Sequence, residues 1–89
     1  MPYIKQSERP KFKNALDNLV KELLEDPDSM AGNFNYCVTI ILKRLIEKNK
    51  RYKTMNDLIG ALECAKLELY RRVVGPYEDE KIGTNGDVS

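Results

Sequence analysis

Glu63, Lys66, Tyr70, Arg71 and Arg72 fall close together along one helical pattern, and Tyr77, Asn85 and Asp87 follow in the stretch that leaves it. Spacings of three and four place Glu63, Lys66 and Tyr70 on neighbouring turns, with two guanidinium groups near the C-terminal end. A guanidinium presents a planar fork that matches carboxylate or phosphate oxygens, and an aromatic ring stacks on planar or cationic groups. Lys66, Tyr70, Arg71, Arg72 and Tyr77 thus have the chemistry to grip an anionic, planar ligand. Asn85 and Asp87 flank Gly86 as short polar groups able to hydrogen-bond a ligand or a partner backbone. The plainer role for the same cations is a set of exposed ion pairs that complement the negative helix end, each worth a few tenths of a kcal/mol.

Other chemistries have weaker support in the residues. The chain has no histidine, which removes the commonest general base and metal ligand. Neither Gly-x-x-x-x-Gly-Lys-Ser/Thr nor Gly-x-Gly-x-x-Gly occurs, so the two main phosphate-cradling loops are absent. Glu22, Glu25, Glu63, Glu68, Glu78, Asp79 and Glu80 are magnesium ligands by type, as an all-α nucleotide pyrophosphohydrolase would need, but the chain lacks the Glu-Glu-x-x-Glu run, followed by a later Glu-x-x-Asp, of such enzymes. The expectation is a non-enzymatic protein with no metal and no cofactor. Cys37 and Cys64 lie in apolar helical patterns and read as reduced packing residues.

Fifteen Lys plus Arg against fourteen Asp plus Glu give a formal charge of +1, without the positive excess of a domain held by phosphate contacts. Nucleic acid is therefore not the expected partner, and the basic link Lys48, Lys50, Arg51 and Lys53 around Tyr52 reads as a solvated connection. No apolar run has the length of a signal peptide core or a bilayer span, so a cytoplasmic protein without a membrane association is expected.

Three elements must position these groups. Phe12, Leu16, Leu19, Val20, Leu23 and Leu24 make an apolar stripe that predicts a helix over about 8–25, capped by Ser7 and stopped at Asp26-Pro27. Asp28 to Asn35, with Gly32, Asn33 and Asn35, reads as a loop. Cys37, Val38, Ile41, Leu42, Leu45 and Ile46 predict a second helix over about 36–49. Thr54 and Asp57 suit the start of a third over about 55–74, ended by Gly75-Pro76, with a tail at 75–89.

The third helix carries Met55, Leu58, Leu62, Ala65, Leu69 and Val73 on one stripe and Ile59, Cys64, Leu67, Tyr70 and Val74 elsewhere, with Gly60 and Ala61 open to close approach. Such width favours burial on two sides. A chain of 89 residues hides only roughly 60% of its unfolded surface as a monomer. The reading is a single all-α, three-helix domain spanning 1–89, with a C-terminal extension packed on the core or a neighbouring subunit, assembled as a homo-oligomer.

The residues from Asn56 to Val74, then Pro76-Tyr77-Glu78-Asp79-x-Lys81 and Asn85-Gly86-Asp87-Val88, together with Asn35-Tyr36, resemble a family of short proteins of prokaryotic and phage genomes that has no established activity. The resemblance covers most of the chain after the first helix and implies kinship without implying chemistry. Small helical phage proteins that act as oligomeric sponges for cyclic or ADP-ribose-type immune nucleotides offer an analogy. By that analogy the expected function is capture of an anionic nucleotide signal at oligomer interfaces. A homo-oligomeric protein-interaction module and a magnesium-dependent pyrophosphohydrolase-like enzyme are the alternatives.

Overall fold

A computed structural model of the chain describes residues 4–88. The described chain is all-α. Its helices are α1 (Pro10–Leu24), α2 (Met30–Lys48), α3 (Tyr52–Leu69) and α4 (Gly75–Asn85), with one 3-10 turn at Gln6–Glu8, another at Pro27–Ser29, and a π-helical turn at Tyr70–Val74. The backbone stays helical from α3 through the π turn into α4, so these three segments form the third of three helical rods. Two compact units result, one of the described residues up to Met55 and one of those from Asn56 onward.

In the first unit α1 and α2 meet as a hairpin. Pro10 occupies the first turn of α1, where a missing amide hydrogen costs nothing. Ser7 lies in the preceding 3-10 turn and does not cap α1, whose N-cap position is Arg9 with no side-chain cap bond. Asp26 is extended at φ −131° and ψ 86°, as the residue before a proline prefers, and this breaks the chain between α1 and α2.

The second helix begins at Met30, not at Tyr36 as its apolar spacing suggests. Gly32, Asn33 and Asn35 are poor helix formers, but Met30, Ala31 and Phe34 line an apolar cleft with Val20, Leu23 and Leu24 of α1. That contact outweighs propensities of less than about 1 kcal/mol per residue. Thr39 Oγ1 also donates to the Asn35 carbonyl at 2.8 Å. The basic connection shrinks to Asn49, Lys50 and Arg51, since α3 starts at Tyr52 and Thr54 sits inside its first turn.

In the second unit the helix does not stop at Gly75-Pro76. Gly75 N–H bonds the Tyr70 carbonyl five residues back, which is the wider π pattern. A proline in a regular α-helix would lack its bond to the carbonyl four residues earlier and crowd it. The widened turn lets Pro76 enter as an early residue of α4, and what reads as a tail in the sequence is helical as far as Asn85. The stop comes at Gly86, whose φ of +88° suits glycine, with its N–H on the Ile82 carbonyl at 2.9 Å.

No described residue is fully buried. The most sheltered apolar residues of α1 and α2 are half-buried, Leu19, Leu23, Val38, Leu42 and Ile46 among them. Leu16 remains 57% exposed and Leu69 58% exposed. Cys37 is half-buried and Cys64 exposed, both as free thiols, so Cys64 is not a packing residue within the chain. Among the described residues no helix is long and apolar enough to cross a membrane.

Candidate ligand site around the π turn

The residues with ligand-binding chemistry divide into separate groups. Lys66 pairs with Glu63 at 3.1 Å, one turn away on an exposed face. Glu68 carries two cations: Arg71 Nη2 lies 3.0 and 3.1 Å from its carboxylate oxygens, and Arg72 Nε donates to Oε1 at 2.8 Å. The spacings of three and four residues dictate this meeting. Glu68 is correspondingly sheltered, with its side chain 18% exposed, whereas the two arginines stay in solvent.

Tyr70 makes a separate contact. Its hydroxyl donates to the Glu78 carboxylate, and that bond together with the negative charge of Glu78 raises the phenol above its ordinary value near 10.0. Residues eight apart on a regular α-helix are turned by about 80° from each other. The π turn between Tyr70 and Glu78 removes that offset, so both side chains fall on one face. Lys81 Nζ stands 5.5 Å from the centroid of the Tyr77 ring, on the next turn.

Asn85 closes α4, and Asp87 Oδ1 accepts the Val88 backbone N–H at 2.6 Å. At a helical rise near 1.5 Å per residue, Asn85 lies about 20 Å along the axis from Arg71. One chain therefore brings Tyr70 to Glu78 and Arg71 to Arg72, but does not gather Lys66, Tyr70, Arg71, Arg72, Tyr77, Asn85 and Asp87 around one ligand. Among the described residues no three His, Cys, Asp or Glu side chains converge as a metal centre would require.

Sequence reasoning missed the Tyr70–Glu78 bond and two further features. Glu68 as the shared partner of both arginines was legible in the spacing of 68, 71 and 72. The apolar cleft of about 340 Å³ between α1 and the start of α2 was not, because Met30 to Phe34 read as loop. The four-residue step from Met30 to Phe34 was the available signal.

Exposed apolar stripes and charges paired within one turn mark the helices of a small all-α protein. The chain belongs to the family described as Domain of unknown function (DUF6899), whose model matches residues 1–88. No curated protein and no solved structure matches it.

Proposed function

We propose that this chain is a non-enzymatic, self-associating helical module, whose apolar stripes are covered by a second copy of the same chain. The observation that carries the reading is the absence of any fully buried residue among those described, with Leu16, Leu62, Leu69 and Val73 all exposed. A two-helix hairpin and a single helical rod each lack the enclosed apolar volume that stabilises a domain of this length. Contiguous apolar surface of this kind is a mark of protein–protein contact. A net charge of +1 offers little repulsion between copies.

Native mass spectrometry and light scattering test this reading. The wild type should be a stable homo-oligomer, and Leu16→Asp with Leu69→Asp, both at positions already open to water in one chain, should dissociate it. A monomer that unfolds cooperatively would overturn the proposal.

A second reading is supported by the two guanidinium groups on one carboxylate, which leave a surplus positive charge on an exposed face of the π turn. Doubled across an interface, these groups suit an anionic nucleotide, in keeping with a phage-type sponge that sequesters an immune signal in the cytoplasm. In the same mass spectra a nucleotide panel should then give stoichiometric adducts, lost in Arg71→Ala with Arg72→Ala while the oligomer persists. The pyrophosphohydrolase reading has no geometric observation in its favour.

A further inference from the structure

The overall charge of +1 conceals a strong segregation. Lys43 to Lys53 holds six cations, Lys43, Arg44, Lys48, Lys50, Arg51 and Lys53, against Glu47 alone, a local charge of +5. The rest of the chain has nine cations and thirteen carboxylates, a charge of −4. Within this corner Lys43, Arg44, Lys48, Lys50 and Arg51 make no side-chain hydrogen bond or ion pair among the described residues. Elsewhere Arg9, Lys11, Lys13, Lys66, Arg71 and Arg72 have an oxygen partner, whereas the ammonium groups of Lys5, Lys21 and Lys81 have none among the described residues.

Helix electrostatics account for only part of the corner. Lys48 lies in the last turn of α2, where the dipole favours a cation. Lys50, Arg51 and Lys53 instead surround the start of α3, the positive end of that helix, and its first turn holds no acidic residue to offset them. Lys50 and Arg51, gathered unpaired at the wrong end of a helix, raise the local potential and favour an external anion. Among these charges Tyr52 is 78% exposed, the first residue of α3, between Arg51 and Lys53.

We propose that the α2–α3 corner binds single-stranded nucleic acid, with Lys48, Lys50 and Arg51 on successive phosphates and Tyr52 as the surface on which a base stacks. Phosphates alone would be served by any cluster of cations. The exposed ring set between two of them is what selects a single strand, because bases inside a duplex present no free face.

The test is fluorescence anisotropy of the full chain with a labelled oligothymidylate, titrated at salt from about 50 to 200 mM. The logarithm of the association constant should fall linearly with the logarithm of salt, with a slope of about −2 if three phosphates are contacted. Arg51→Gln, and separately Lys48→Gln, should each weaken binding and flatten the slope by about 0.7. Tyr52→Ala should weaken it about tenfold at unchanged slope, with recovery in Tyr52→Phe. Circular dichroism of each variant establishes that the helices are intact. No binding at the lowest salt would overturn the proposal. Binding of heparin as tight as that of the oligonucleotide, with Tyr52→Ala without effect, would reduce the corner to a general polyanion surface and also overturn it. Salt-dependent dissociation of the homo-oligomer without oligonucleotide binding would assign the corner to a second copy, again against the proposal.

Discussion

The hairpin of α1 and α2 and the rod that runs from Asn56 to Asn85 reach their helical state by different routes. In the hairpin, Gly32, Asn33 and Asn35 are helical because Met30 and Phe34 share an apolar cleft with Val20 and Leu24. Contact there overrides local preference. In the rod, the interactions that shape the chain are local: Lys66 with Glu63, Arg71 and Arg72 with Glu68, Tyr70 with Glu78, and the π bond from Gly75 to Tyr70. A proline that would break a helix is absorbed by changing the turn. The charges follow the same division, since Lys66, Arg71 and Arg72 of the rod are paired within one turn while Lys43, Arg44, Lys48, Lys50 and Arg51 of the first unit have no such partner among the described residues.

The largest effect should come from removing the cause of the irregular turn. Pro76→Ala restores an amide hydrogen and relieves the crowding, so the rod should regain regular α geometry and gain about 1 to 3 kcal/mol in thermal melts. The same change rotates Glu78 away from Tyr70. An unchanged melting temperature, with Tyr70 still bonded to Glu78, would mean that the π turn is imposed by something other than Pro76.

Gly60→Ala should add about 1 kcal/mol to helix stability, because nothing lies within 4 Å of an added Cβ there. It separates local from assembled behaviour. If a second copy brings its backbone against Gly60, the variant should melt higher at low protein concentration yet associate more weakly in light scattering.

The smallest effect is the titration of Tyr70. Glu78 holds the phenol protonated in the folded rod, so its folded value lies above its unfolded one. The folded state then binds more protons than the unfolded state as pH rises past about 10, and the bond's contribution, complete below that pH, is lost as Tyr70 ionises. Absorbance of tyrosinate against pH should show one ring titrating late, moved earlier by Glu78→Gln. A wild-type curve identical to that of Glu78→Gln would refute the bond in solution.

Periodicity made much of this legible. The stripe from Phe12 to Leu24 marks α1, that from Cys37 to Ile46 marks most of α2, and the pairing of Arg71 and Arg72 with one carboxylate follows from their offset to Glu68. What the residues could not announce depends on structure at longer range or on backbone detail. The start of α2 rests on a cleft supplied by another helix. The meeting of Tyr70 and Glu78 depends on a turn that a 3.6-residue period cannot represent, and Gly75-Pro76 is an ordinary stop signal wherever the chain does not widen to admit it. Exposure of Cys64 likewise could not be inferred from an apolar neighbourhood in sequence.

The π turn also has the geometry of a single inserted residue taken up without breaking the helix. Side chains beyond Val74 are out of phase with the α-helical period of those before it. Any long partner lying along the rod meets two registers, joined like a screw thread cut in two passes. Loss of one residue between 70 and 74 would merge them, changing which side chains align along the whole length while leaving every helix in place.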